Sequence, residues 1–180
     1  MYIIMTKRSE RWHYIKTGLR RLRIAMNGYR RDSRSAHFLF LSAAILETSH
    51  RIPNLDYDIL MKLTLQLTKS MEECEKLYRL MCFNVFAHNR DDHSKNFSYI
   101  YRDEEKRWIL SPAYDLTYSN SIGGEHATTV NGNGADPGMD DLLSVAKKIG
   151  LGMTKARKTA AEIQECVQER LRDYLSDRIE

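Results

Sequence analysis

A polar run of eight residues, Asn89 to Asn96, lies between an apolar helical pattern and two strand-like runs, and this order constrains the fold most. Before the run, apolar residues recur at helical spacing from about Met71 to Val85. After it, residues 96–101 and 107–110 are aromatic and β-branched, and four charged residues separate them, as is typical of a hairpin. The sequence therefore predicts a helix, a polar loop and a hairpin in that order.

Asp91 and Asn96 stand five positions apart in this loop, and Asp115 follows the hairpin. In protein kinases, the aspartate that accepts the proton of the substrate hydroxyl precedes a magnesium-binding asparagine by five positions, and a later aspartate holds the metal. The base is an unligated carboxylate, whereas an amide oxygen coordinates a hard cation without adding a full negative charge. Because a hairpin returns the chain, we expect Asp115 beside Asn96. The spacing indicates phosphoryl transfer, although Asp and Asn are also common in ordinary loops.

The residues around this loop resemble the C-terminal domain of the HipA-type serine/threonine kinases, the toxins of bacterial toxin–antitoxin systems. The resemblance rests on residues 83–98, FNVFAHNRDDHSKNFS, and on residues 108–116, WILSPAYDL. It extends from about Ser35 to about Lys158. The expected reaction is transfer of the γ-phosphate of ATP to a protein hydroxyl in the bacterial cytoplasm, with ATP and Mg²⁺ as cofactors.

The site residues that the resemblance implies have three roles. Asp91 is the catalytic base, and Asn96 and Asp115 are the magnesium ligands. His93 and Lys95 are cofactor-binding residues that shape the loop or lie on the phosphate side. Zinc suits this site less well, because carboxylate and amide oxygens favour magnesium. Outside the loop, His126 either faces the site or makes a structural hydrogen bond.

The expected fold is mainly α with a small β-hairpin, similar to the C-terminal, helical lobe of a protein kinase. Apolar residues at helical spacing predict helices over residues 35–47, about 59–67, about 71–85, 140–149 and 155–174. Asp56 or Asp58 is expected to cap the second helix and Thr154 the last. Residues 118–138 hold five glycines and are predicted to form a loop.

A kinase also has an N-terminal lobe, in which a glycine-rich loop covers the phosphates and a strand lysine grips the nucleotide. Residues 1–34 offer one candidate strand, Tyr2 to Ile4, and two isolated glycines, Gly18 and Gly28. We therefore expect the N-terminal lobe to be absent. The predicted domains are a leader, residues 1–34, and a HipA-like kinase lobe, residues 35–180. Its missing half is expected from another chain, unless the protein is a truncated product or a relic.

The predicted leader is strongly basic, with ten Lys or Arg residues against two acidic ones, in a chain whose formal net charge is +4. Such a segment suits contact with nucleic acid phosphates, and members of the resembled family sit in DNA-bound complexes through an antitoxin. A leader without a selected partner also explains the charge, since no DNA-reading motif is present. The alternative function is therefore a catalytically silent kinase-lobe remnant that binds protein or nucleic acid.

Composition narrows the class of protein. The chain has 180 residues, 42% of them hydrophobic, which is enough to bury one hydrophobic core and predicts a single domain. No apolar run approaches the roughly 20 residues that span a bilayer, and the N-terminus is too charged for a secretory signal. The three cysteines lack metal-binding spacing, so we expect free buried thiols in a reducing cytosol.

Overall fold

The computed structural model describes residues 38–41, 55–119 and 124–176, so the predicted leader lies outside the described residues, and its boundary stays a prediction. Within them the helices are α1 Tyr57–Thr68, α2 Met71–Phe86, α3 Met139–Ile149 and α4 Met153–Ser176. The strands are β1 Phe38–Leu41, β2 Leu55–Asp56, β3 Ser98–Arg102, β4 Arg107–Leu110 and β5 Thr128–Thr129, and residues 94–96 form a 3₁₀ turn. The expectation of a mainly helical fold with a small hairpin is confirmed.

The helices surround one apolar core. Buried residues at helical spacing line the facing sides of α1, α2 and α3, among them Leu60, Leu63, Leu77, Met81, Leu142 and Val145. The α1 helix begins at the predicted cap, because Asp56 Oδ1 accepts the backbone N–H of Asp58 at 2.8 Å. Two buried small residues of α4, Ala156 and Ala160, meet the core, and Tyr78 Oη of α2 donates to the Ala156 carbonyl at 3.3 Å.

The predicted hairpin is confirmed. Strands β3 and β4 pair antiparallel with Ile100 opposite Ile109, and residues 103–106 form the exposed turn. A buried carboxylate ties this hairpin to α2, because Glu73 Oε2 accepts the backbone N–H of Leu110 at 2.8 Å. The end of β4 is therefore held at a fixed position relative to α2.

Two predictions about element boundaries are wrong. Phe38–Leu41 is a strand, not part of a helix, and it pairs antiparallel with β3 to make a three-stranded sheet in the order β1–β3–β4. The run Phe-Leu-Phe-Leu is apolar throughout, so its period fits either structure, and the open edge of β3 offers it backbone hydrogen bonds. Thr154 is not a cap, because α4 already begins at Met153.

Strands β2 and β5 form a second, parallel pair, which brings the segment after the hairpin next to the start of α1. Leu55 pairs with Thr128 and Asp56 with Thr129. Asp56 Oδ2 accepts hydrogen bonds from Thr129 Oγ1 and from the Gly132 backbone N–H, both at 2.7 Å. The region predicted as a loop therefore contains a short strand that is fixed to the helical core. In the described part of the chain, no helix has the length and apolar character to cross a membrane.

Candidate active site

The candidate site begins where α2 ends in a tight turn. The backbone N–H of Asn89 donates to the Asn84 carbonyl at 2.9 Å, and that of His88 to the Val85 carbonyl at 3.3 Å. This pair of hydrogen bonds is the Schellman motif, in which the residue after the helix cap takes a left-handed conformation. His88 occupies that position with φ of 51°, although glycine is the usual residue there. The turn directs the chain abruptly from the helix into the polar loop.

Within the loop, the structure brings Asp91, His93 and Asn96 together. Asn96 Nδ2 donates to the backbone carbonyl of Asp91 at 2.9 Å, so the amide oxygen is the atom left to meet a cation. The Asp91 side chain is 57% exposed, and its Oδ1 lies 3.9 Å from His93 Nε2, too far for a hydrogen bond. A general base has to be accessible to the hydroxyl whose proton it accepts, and the Asp91 carboxylate meets this condition.

The hairpin returns the chain to this loop at Tyr114, the residue before Asp115. Beyond β4, the Ser111 N–H donates to the Ser98 carbonyl at 2.9 Å, and Tyr114 Oη donates to the Lys95 carbonyl at 2.6 Å. Asp115 is the next residue, exposed and with φ of 55°. In the described part of the chain no hydrogen bond joins it to Asp91 or Asn96, so its neighbour, not its own side chain, makes the contact with the loop.

The donor set available for a cation is small. Residues 55–119 and 124–170, whose side chains the structure describes, contain no group of three or more His, Cys, Asp or Glu side chains placed to hold a metal ion. The predicted ligands, Asn96 and Asp115, offer one amide oxygen and one carboxylate. Magnesium is commonly held by one or two carboxylates, with substrate phosphates and water completing its shell. The residues therefore fit a nucleotide-bound magnesium ion better than a metal enclosed by protein.

Unsatisfied polar atoms cluster on the same loop. Of the four buried side-chain atoms without a hydrogen-bond partner among the described residues, three belong to it, namely Asn89 Oδ1, Arg90 Nε and His93 Nδ1. Native proteins leave few buried polar atoms unpaired, and such atoms often mark positions that a bound group or ordered water completes. Asp115 also has a left-handed backbone conformation, which is uncommon for residues other than glycine. Such strain concentrates at functional sites.

Sequence reasoning missed the most buried member of the loop. Asp92 is 1% exposed and accepts hydrogen bonds from Tyr57 Oη at 3.0 Å and from the Thr128 N–H at 3.1 Å. His126 Nδ1 lies 3.1 Å from Asp92 Oδ2, so this histidine makes the structural hydrogen bond that was one of its two predicted roles. The doubled aspartate was the one local signal, and it does not say which carboxylate is buried.

The cysteines divide into two classes. Cys74 and Cys82 are buried in α2, as expected, and burial raises the pKa of Cys82 to about 12. Cys166 is exposed, so the expectation of buried thiols is wrong for this residue. It lies on the outer side of α4, beyond the part of the helix that meets the core.

Comparisons with known proteins place the chain in a family. No curated protein matches the sequence. The fold resembles the HipA chain in a complex of HipA, HipB and operator DNA from Shewanella oneidensis MR-1, with a TM-score of 0.57 and 14% identity. The likeness covers 83% of this chain but 39% of that chain, so the protein spans well under half of that relative. The family model of the HipA-like C-terminal domain matches residues 16–171. The chain therefore belongs to the HipA-like C-terminal domain family.

Proposed function

We propose that this chain is the catalytic lobe of a HipA-like serine/threonine kinase and transfers the γ-phosphate of ATP to a protein hydroxyl. The enzyme also needs an N-terminal lobe, which covers the phosphates and grips the nucleotide. One observation carries the proposal. Asn96 Nδ2 donates to the Asp91 backbone carbonyl at 2.9 Å, so the two residues share one turn on which the Asp91 carboxylate is accessible, and Tyr114, next to Asp115, contacts the same turn.

In this mechanism Asp91 accepts the proton of the serine or threonine hydroxyl. The hydroxyl oxygen forms a bond to the γ-phosphorus as the bond from that phosphorus to the bridging oxygen of ADP breaks. Asn96 and Asp115 would hold Mg²⁺, which when bound neutralises charge on the phosphates. We assign contact with the phosphate oxygens to Lys95 and His93, and the exposure of Lys95 and partial exposure of His93 on the same turn support this.

The proposal extends to partners. The Shewanella protein is found with HipB and operator DNA. For this chain, we infer an antitoxin subunit as a partner and contact with nucleic acid, either through that subunit or through the basic residues 1–34. Contact with nucleic acid through these residues predicts an affinity that falls steeply with salt and is lost when they are removed.

The direct test measures phosphate transfer from ATP labelled at the γ-position. The chain is combined with a strand-rich kinase lobe that carries a glycine-rich loop. Asp91→Ala is expected to lower transfer by about 10²- to 10⁴-fold, the usual contribution of a general base. Asp103→Ala, a matched exposed aspartate in the hairpin turn, serves as the control and should leave transfer unchanged. Transfer retained in Asp91→Ala contradicts the assignment.

A second measurement separates an enzyme from a silent lobe. Calorimetry with ATP and Mg²⁺ is expected to show weak binding by the chain alone and tighter binding with the added lobe. Asp115→Asn and Asn96→Ala should each raise the Mg²⁺ concentration needed for half-maximal transfer. If the wild-type pair transfers no phosphate yet the chain still binds an antitoxin or nucleic acid, the silent binding module is the correct function.

A further inference from the structure

A buried aspartate–histidine pair includes Asp92, the residue that follows the proposed catalytic base. The side chains of Asp92 and His126 are 0% and 2% exposed, and His126 Nδ1 lies 3.1 Å from Asp92 Oδ2. The two residues come from different parts of the chain, since Asp92 belongs to the polar loop and His126 precedes β5. An ionisable pair without access to water is costly to bury, so its bonds have to be well satisfied.

Backbone contacts hold residues 126–128 alongside residues 90–92. The Ala127 N–H donates to the Arg90 carbonyl at 3.0 Å, and the Thr128 N–H donates to Asp92 Oδ1 at 3.1 Å. Thr128 Oγ1 also donates to the Asp92 carbonyl. The loop is thus fixed by both the side chain and the main chain of Asp92.

Helix α1 holds the same carboxylate directly through Tyr57, and α2 supports that contact through Asn84. Tyr57 Oη donates to Asp92 Oδ2 at 3.0 Å and accepts a hydrogen bond from Asn84 Nδ2 at 2.8 Å. Burial, together with the negative charge of Asp92, raises the pKa of Tyr57 well above its ordinary value, so the phenol remains a donor. Asn89 Nδ2 donates in turn to Asn84 Oδ1 at 2.9 Å. The anchor of the loop is therefore continuous with the helical core.

Opposite burial of neighbouring residues sets the direction of the base. Asp92 is drawn into the core, and the preceding Asp91 side chain is 57% exposed. Any shift that releases Asp92 would rotate the loop and move the Asp91 carboxylate.

We propose that Asp92 and His126 are positioning residues that hold the Asp91 carboxylate in its working orientation. The role rests on the proposed function, since it acts through the proposed base. It also assigns a purpose to the segment after the hairpin, because residues 126–128 hold the loop that carries the base. The two carboxylates of the Asp91–Asp92 pair therefore have different roles, one chemical and one structural.

The test compares two substitutions at one position. His126→Asn keeps a side-chain N–H close to the position of Nδ1, whereas His126→Leu removes the donor and leaves Asp92 without it. Because a misplacement of about 1 Å can cost about 10²-fold in rate, His126→Leu should lower kcat by about 10- to 100-fold with KM for ATP within about twofold. His126→Asn should recover kcat to within a few-fold of the wild type. Equal kcat in all three proteins overturns the proposal, as does a loss in both variants that Asn does not rescue.

A structural measurement distinguishes failure of this inference from failure of the proposed function. Backbone amide NMR signals and hydrogen exchange of residues 90–96 are recorded for the wild type, both His126 variants and the Asp103→Ala control. His126→Leu should shift these signals and speed exchange, and the control should not. Unchanged signals overturn the positioning role whatever the activity. If His126→Leu shifts these signals but the wild-type protein transfers no phosphate, only the kinase assignment is refuted. Circular dichroism confirms that each variant is folded.

Discussion

The single substitution Glu73→Ala tests how the helical core holds the hairpin that carries Asp115. Glu73 is 1% exposed, and its two carboxylate oxygens each have one partner. Oε2 accepts the Leu110 N–H at 2.8 Å, and Oε1 accepts Lys76 Nζ at 2.8 Å. Alanine at this position removes both acceptors at once and leaves the Leu110 N–H in a buried environment without a partner.

The size of the effect follows from these two bonds. A hydrogen bond to a charged group contributes about 1.5–3 kcal/mol, and a buried donor left unpaired costs about 1–3 kcal/mol. These terms overlap, and relief from burying the carboxylate offsets part of them, so we expect a loss of about 2–3 kcal/mol. In a chain of this size that lowers Tm by about 5–10 °C. Glu73→Gln keeps an acceptor for Leu110 and should cost less than about 1 kcal/mol.

Urea and thermal unfolding of the wild type, Glu73→Ala and Glu73→Gln measure the effect. Glu72→Ala is the matched control, because Glu72 also pairs with Lys76, at 3.1 Å, but its side chain is 70% exposed. The control should leave the midpoint where it is, since exposed ion pairs contribute little. If Glu73→Ala unfolds at the same midpoint as Glu72→Ala, Glu73 does not anchor the hairpin and the reasoning is refuted.

Two further outcomes are expected. His88→Gly should raise stability by about 0.5–1 kcal/mol in the same unfolding assay, because glycine takes the left-handed position at the end of α2 without strain; Ala87→Gly, at a φ of −85°, should lower it. A thiol reagent at pH 8 should modify Cys166 alone in the folded chain, as judged by mass spectrometry. Burial raises the pKa of Cys74 to about 11 and that of Cys82 to about 12, so at pH 8 about one in a thousand or fewer of these two thiols is ionised. Labelling of all three cysteines without denaturant would contradict the buried positions.

Local sequence signals were sufficient for most of the helical elements and for the hairpin. Asp56 caps α1 because a short carboxylate side chain can accept the first free N–H groups, whatever else packs nearby. The charged turn between β3 and β4 likewise needs no distant partner to be recognised. Phe38–Leu41 was misassigned because an apolar run without polar phase carries no period, and its strand depends on the open edge of β3.

The amino-acid sequence by itself determined the family of this protein, the order of helix, polar loop and hairpin, and the identity of the candidate chemical groups, since each is written in adjacent residues. Tertiary structure alone decided which aspartate of the Asp91–Asp92 pair is exposed. That choice depends on Tyr57, His126 and Thr128, which lie more than thirty positions away along the chain. Burial of a carboxylate requires donors that converge from several elements, and such convergence exists only after the helices have packed.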